Sequence, residues 1–313
     1  MKKCSVVVPC YNEEETIQIF YDEMQKYIPK MEDLEFEFIF VDDGSKDGSL
    51  AEMKRLASED DRVRYISFSR NFGKEAGLFA GLEAASGDYI VTMDVDLQDP
   101  PFLLEEMYHA VRDEGYDCAA TMRTDRKGEA PIRSWFSRKF YRLINKISNA
   151  DIVDGARDYR FMTRQMVDSI LSMKEYNRFS KGIFGWIGYK TKWIPFQNVE
   201  RAAGTTKWSF WKLFLYALEG IIAFSTTPLW ISSLLGFFCC FVAIIVLIFV
   251  VVRALVFGDP VAGWPSTISI IVFIGGLQMF CMGILGMYLA KLYLEAKDRP
   301  IYITRETNIE EKK

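Results

Sequence analysis

Two long stretches of this chain, 228–252 and 265–290, contain no charged residue. Each exceeds the roughly 20 residues that a helix needs to cross the hydrocarbon core of a bilayer. Inside a bilayer every backbone amide must be satisfied within its own segment, so such runs fold as helices. The alternative is a pair of buried core helices in a soluble protein, which the length and the lack of charge disfavour. Lys207 and Lys212 precede the first run, and Lys291, Lys297, Arg299 and Arg305 follow the second. The connection 257–264 has neither Lys nor Arg, and only Arg253 stands at its border. Positive flanks mark the inner side. Both ends of the chain are therefore expected in the cytoplasm, joined by a short outer loop across the cell (inner or plasma) membrane. Lys2 and Lys3 precede an apolar run that breaks at Pro9, too short for a signal peptide.

Hydrophobic residues make up 50% of the chain, but up to about Ser225 they are mixed with charges as in a soluble domain. A net charge of −4 carries no nucleic-acid signature. The six cysteines show no CxxC or zinc-like spacing and read as reduced packing residues. The one histidine, His109, falls within a helical pattern, which argues against histidine acid–base chemistry. Neither an internal repeat nor a low-complexity segment is evident.

Within the soluble part, β-rich apolar runs at 4–9, 35–41, 62–68, 89–93 and 117–121 alternate with helical patterns at 13–27, 50–58, 74–85 and 102–112. That alternation predicts an α/β fold with a mostly parallel, doubly wound, Rossmann-like sheet. No G-x-G-x-x-G follows the first strand, so the dinucleotide fingerprint is absent. The fourth run ends in Asp94-Val95-Asp96-Leu97-Gln98-Asp99-Pro100-Pro101. Carboxylates at the carboxyl end of a buried strand sit where open α/β sheets bind ligands. Their mutual repulsion calls for a cation, and oxygen donors without His or Cys point to Mg²⁺ or Mn²⁺. Two further strand-end loops, 9–14 and 41–48, are acidic or glycine-rich and converge on the same edge of a parallel sheet. Any one of them alone reads as a solvated turn; three of one kind at strand ends point to a site.

Beyond residue 125 the pattern changes. Ile132, Phe140 and Ile147 fall at helical spacing among Arg133, Arg138, Lys139, Arg142 and Lys146, giving a basic amphipathic helix over 132–147 suited to a membrane surface. A helix packed on its own domain is the plainer alternative. An aromatic-rich helix is expected over 207–224. Pattern alone fixes no fold for 151–203, and the charged tail 304–313 is expected to fray. The expected organisation is an α/β core over 1–125, a segment with interface helices over 126–227, and a two-helix transmembrane hairpin with cytoplasmic tail over 228–313.

Three motifs, Ser5–Glu14, Val41-Asp42-Asp43-Gly44-Ser45-x-Asp47-Gly48 and Asp94–Pro101, together resemble the family 2 GT-A glycosyltransferases. The likeness continues through Arg70–Glu75, Asp158–Met162, Glu200-Arg201-x-x-Gly204-x-x-Lys207 and the two apolar runs. Over nearly the whole chain it is similar to the polyprenyl-phosphate branch, which includes bactoprenol glucosyltransferases and dolichol-phosphate mannose synthase. Each motif is modest alone; their order and spacing are specific.

The resemblance implies a GT-A fold and inverting transfer of one sugar from a nucleotide sugar, UDP-glucose by the bacterial likeness, to undecaprenyl or another polyprenyl phosphate. It implies nucleotide contacts from Pro9, Tyr11, Asn12, Glu13, Asp42, Asp43, Lys74 and Asp94. Asp94, Asp96 and Gln98 would serve the metal, and Asp96 and Asp158 would be catalytic. Arg123, Arg126, Arg138, Arg201 and Lys207 would meet the acceptor phosphate. Some members form tetramers, and Gly275, Gly276, Gly283 and Gly286 offer surfaces for close packing. Cys10 replaces a commoner aliphatic residue, and Tyr159 and Trp208 replace other aromatics.

Three rivals are weaker. A calcium loop over 94–105 has Asp99 where glycine is required and two prolines in the way. A processive polysaccharide synthase would carry Q-x-x-R-W and more spans. A catalytically inactive nucleotide-sugar-binding membrane module would not need intact metal motifs.

Overall fold

The computed structural model describes residues 1–124, 153, 155–197, 222, 225–257 and 263–310. Eight strands form one sheet: β1 (Lys2–Cys10), β2 (Leu34–Asp42), β3 (Val63–Phe68), β4 (Tyr89–Thr92), β5 (Cys118–Arg123), β6 (Ala156–Thr163), β7 (Thr191–Phe196) and β8 (Thr304–Thr307). Their order is β7-β5-β6-β4-β1-β2-β3-β8. The central strands β4, β1, β2 and β3 are parallel. β1 and β2 are nearly continuous apolar runs because both their faces are covered.

Side chains of β1 alternate between two layers. Val6 and Val8 pack with Phe20, Met53 and Met107, from α1 (Ile17–Met24), α2 (Ser49–Glu59) and α4 (Leu104–Arg112). Val7 packs on the opposite face with Ala80, Met166 and Phe184, from α3 (Lys74–Ala84), α5 (Arg164–Ser172) and α6 (Ser180–Trp186). The result is a three-layer α/β/α domain. Residues 13–16, expected to be helical, instead form a turn. The Glu13 amide donates to Ser49 Oγ at 2.8 Å, tying this segment to the start of α2 before α1 begins.

The segment without a readable pattern supplies β6, α5, α6 and β7. β6 lies antiparallel to both β4 and β5. The tail also differs from expectation: it is not frayed over 304–307 but pairs antiparallel with β3 as β8. The edge of β3 offers unpaired amides, and the Tyr302 ring stacks on Phe68 at 4.9 Å, so docking satisfies both.

The apolar runs form α7 (Thr227–Phe257) and α8 (Trp264–Ala296). The windows Thr227–Val246 and Phe273–Ala296 are long and apolar enough to cross a membrane, with mean hydropathies of 2.5 and 1.6. They are 0% and 6% buried, unlike core helices of a soluble protein, and fit a membrane-associated chain. The end of α8 is tied to the soluble domain: Glu295 Oε1 accepts from the Tyr176 amide at 3.0 Å, and Lys291 Nζ donates to Asn177 Oδ1 at 3.0 Å. Apart from Ile222, the expected interface helices over 132–147 and 207–224 lie outside the described residues, as do Arg126, Arg138, Arg201 and Lys207.

Candidate active site

The strand order reverses between β1 and β4, because β1 continues to β2 on one side while the chain reaches β4 only after β3. Such a switch point opens a crevice at the carboxyl ends of the strands. Tyr11, Asp42 and Asp94 all follow or end strands at that edge.

The nucleotide half is built from two interlocked loops. Asn12 adopts φ +55°, a left-handed conformation that asparagine tolerates better than most residues. Its amide donates to Ser45 Oγ at 2.9 Å, and its Oδ1 accepts from the Lys46 amide at 2.9 Å. Asn12 thus clamps the loop after β2. Glu13 Oε2 accepts from Thr16 Oγ1 at 2.7 Å, within its own turn. Asp42, almost fully buried, accepts from the Ser45 amide at 2.8 Å and from Ser67 Oγ at 2.7 Å. These bonds fix the loop against β3.

Asp43 turns the other way. Its carboxylate accepts from the amides of Phe72 (2.6 Å) and Gly73 (2.9 Å), holding the turn that launches α3. Burial pushes its pKa up, against those two amides. Between the aspartates and this turn lies Gly44 at φ +67°, where a Cβ would stand 2.5 Å from the Arg70 carbonyl carbon. Gly44→Ala combines left-handed strain of ~1–2 kcal/mol with that clash. A loss of about 2 kcal/mol, seen as a Tm lower by about 4–8 °C in thermal unfolding, is the expected outcome. An unchanged Tm would mean that the close approach is not needed. The loops enclose a cavity of about 530 Å³ lined by Tyr11, Asp42, Gly44, Ser67, Arg70 and Arg305. Tyr11 is 44% exposed and presents ring surface there. Pro9, which is not among the residues lining this cavity, pairs with Val41 across β1 and β2 and lies close to Gly77 of α3.

The acidic half assembles through β6. Thr92 pairs with Arg160 in the antiparallel β4–β6 ladder, so Asp94, two residues on, meets Asp158, two residues back. Lys74, the first residue of α3, joins them: its Nζ lies 2.7 Å from Asp94 Oδ1 and 2.6 Å from Asp158 Oδ2. Burial would lower the Lys74 pKa, but Asp158 and Asp94 carry it well above the ordinary lysine value. Burial would raise that of Asp158; Lys74 foremost, then Lys181 and Arg160, pull it far below the usual carboxylate range. Arg160 is itself buried, its guanidinium 4.1 Å from the Phe184 ring centroid and 5.2 Å from that of Trp193.

Leu97 takes φ +55°, strained for a bulky residue. The resulting reversal lets the Gln98 amide donate to Asp96 Oδ1 at 3.1 Å. Asp99 is fully buried and accepts from Arg157 Nε at 2.9 Å. Burial pushes its pKa up to about 6 despite Arg157. This pair escaped the sequence reading, since nothing in the spacing links position 99 to 157. Arg123, at the end of β5, is anchored by its amide to Gly155 O at 3.0 Å. Burial, then Glu13 and Asp42, push the Cys10 thiol up, which leaves it a poor nucleophile.

Among the described residues there is no group of three or more His, Cys, Asp or Glu side chains suited to a metal ion. A Mg²⁺-type ion needs fewer, since it binds through one or two carboxylates together with substrate phosphates. The Lys74 ammonium already stands as a cation on Asp94. Asp94, and the Asp96 carboxylate two residues on, are oxygen donors of the type such an ion takes.

Residues 5–171 match the family model described as glycosyl transferase family 2. A putative glycosyltransferase of Bacillus subtilis, CsbB, is 41% identical over 98% of this chain and 93% of its own length. The SfII prophage-derived bactoprenol glucosyl transferase of Shigella flexneri is 40% identical over 98% of each. A solved glucosyl-3-phosphoglycerate synthase from Mycobacterium tuberculosis, with Mn²⁺ and UDP, is a distant likeness at 21% identity and TM-score 0.49, covering 71% of this chain and 78% of that one. With the model matched through both halves of the site and these relatives aligned almost end to end, this chain belongs to glycosyl transferase family 2.

Proposed function

We propose that this protein moves a single glucose from UDP-glucose to a polyprenyl phosphate, undecaprenyl phosphate in a bacterial setting, at the cytoplasmic face of the membrane. The observation that carries this reading is the 40% identity to a bactoprenol glucosyl transferase over 98% of both chains. The strand-end site and the exposed apolar helices are what such a reaction requires: a nucleotide pocket beside a lipid surface. The pairing of β8 within the sheet of the N-terminal domain supports a reading with both on one side of the hairpin, as the positive flanks predict.

In the reaction, the bond between sugar C1 and the diphosphate oxygen breaks as an oxygen of the lipid phosphate bonds to C1 from the opposite face, inverting the centre. The products are polyprenyl-phosphate-glucose and UDP. Mg²⁺ or Mn²⁺ held by Asp94, Asp96 and Gln98 would offset charge on the departing diphosphate. Tyr11, Asp42 and the 42–48 loop would hold the nucleoside, with Asn12, Glu13 and Asp43 fixing that loop. The acceptor is a phosphate monoester, whose second pKa near 6 leaves it largely ionised at neutral pH. It needs little general-base help.

Asp158, ion-paired to Lys74, is accordingly assigned to positioning that lysine. Asp158→Asn is expected to cost less than about tenfold in kcat, below the roughly 10²–10⁴-fold that loss of an obligatory base brings. A larger fall, with a changed acid limb in the pH–rate profile, would restore the base role. Arg123, Arg126, Arg138, Arg201 and Lys207 are the basic residues assigned to the lipid phosphate. The domain boundaries expected from sequence, and a tetrameric assembly, belong to the same proposal.

The test is incubation of the full-length protein in membranes with single UDP-sugars and undecaprenyl phosphate, with product mass as the readout. A lipid carrying one hexose from UDP-glucose supports the reading. A polymer would favour a processive synthase, and absence of product an inactive binding module.

A further inference from the structure

The tail strand β8 pairs with β3 through Ile66 with Thr307, Ser67 with Glu306 and Phe68 with Thr304. The register therefore skips Arg305, the extra residue of a β-bulge. Bulges re-aim a side chain and are frequent at sheet edges beside active sites. Arg305 lines the 530 Å³ cavity, along with Tyr11, Asp42, Ser67 and Arg70. Its neighbours do the anchoring. Tyr302 stacks on Phe68 at 4.9 Å, the Ser69 amide donates to Ile303 O at 2.9 Å, and Lys54 pairs with Glu306 at 2.6 Å. Asn308 Oδ1 accepts from the Tyr65 amide at 2.8 Å. Among the described residues the Arg305 guanidinium takes part in none of the hydrogen bonds or ion pairs that dock the tail.

Of the residues lining this cavity only Asp42 is acidic, and its oxygens already accept from Ser45 and Ser67, whereas Lys46, Arg70 and Arg305 are basic. A guanidinium is a rigid fork of N–H donors without an acceptor, matched to carbonyl, hydroxyl or phosphate oxygens. The cavity lies over β1, β2 and β3, on the side away from Asp94 at the end of β4. The group facing Arg305 is then the nucleoside end of the donor and not the sugar. We propose that Arg305 is a donor-binding residue, so that the strand following the second apolar helix completes the nucleotide pocket. This rests on reading the site as one for a nucleoside diphosphate sugar.

Full-length Arg305→Ala, Arg305→Lys and wild-type protein in lipid nanodiscs would be compared by UDP titration calorimetry and by steady-state transfer from UDP-glucose to polyprenyl phosphate. Loss of one charge-assisted contact predicts an increase of about tenfold in Kd for UDP and in donor KM. Acceptor KM and kcat should stay within about twofold, and Arg305→Lys should recover part of the affinity. If alanine lowers Tm, Arg305→Gln carries the same KM comparison with an amide in place of the guanidinium. Unchanged UDP affinity in the variants, beside a wild type that binds UDP, overturns the assignment of Arg305; so does a rise confined to acceptor KM. A wild type that neither binds UDP nor transfers glucose overturns the underlying reading instead.

Discussion

Asp96→Asn is expected to lower kcat for glucose transfer by roughly 10²–10³-fold, the loss found when a group that stabilises developing charge is removed. Asparagine keeps the size of the side chain and an oxygen for the Gln98 amide, which donates to Asp96 at 3.1 Å. The reversal at Leu97 should survive, so the loss would be catalytic and not structural. Charge is the element that changes. An acceptor that arrives ionised leaves stabilisation of the departing diphosphate as the main catalytic task, and one carboxylate fewer weakens the hold on the divalent ion that meets it. Steady-state rates at saturating donor, measured across Mg²⁺ and Mn²⁺ concentrations, would show both a lower plateau and a higher metal requirement. Activity within tenfold of wild type, or full activity of the wild type in excess chelator, would defeat this assignment.

Lys74→Met should reduce kcat/KM for the donor by about 10²-fold, equivalent to ~2.7 kcal/mol of transition-state stabilisation. Methionine matches the lysine stem and removes only the charge. Without it, Asp94 and Asp158, each within 2.7 Å of the ammonium, are left facing one another. The diphosphate would also enter a site that has lost its nearest built-in cation. Removing one partner of a fully buried pair costs about 3–5 kcal/mol of stability. The Lys74 side chain is 43% exposed, so the stability loss should be far smaller and the kinetic loss should dominate. Kinetics beside thermal unfolding separates the two. Catalysis within threefold of wild type would show that the lysine only screens the empty carboxylates. Asp158→Asn is the contrasting variant, since the asparagine oxygen still accepts from Lys74 and the expected loss is below tenfold.

The parts of the site carried by local pattern were legible in the sequence. Strands β1 to β5 announced themselves as apolar runs, those of β1, β2 and β4 breaking at Pro9, Asp42 and Asp94, and parallel pairing of the first four follows from the helices between them. Asp42 and Asp94 could thus be placed at one edge before any coordinates. Arrangements made by register were not legible. Asp158 reaches Asp94 because β6 runs antiparallel to β4, and no periodicity in 151–203 indicates the direction of that strand. The Asp99–Arg157 ion pair and the span of Lys74 between two carboxylates depend on the same pairing. Asn12 and Asp43 are assigned to the site only through the family resemblance. That they bind loops to one another appears only when their partners, Ser45, Lys46, Phe72 and Gly73, are in place. The tail misled because charge at 304–313 reads as solvation, whereas its strand is held by contacts on either side of Arg305.

The position of β8 also bears on how the protein is made. Synthesis delivers β1 to β7 first, then both apolar helices, and only afterwards the strand that covers β3. Until then the ribosome-bound chain presents an open strand edge, the kind of surface that invites wrong pairing with other chains. The edge is sealed only once both apolar helices have been made and the tail has come back to pair with β3. Completion of both apolar helices thereby becomes a precondition for finishing the α/β domain, and a chain stalled before it would be a target for chaperones and proteases.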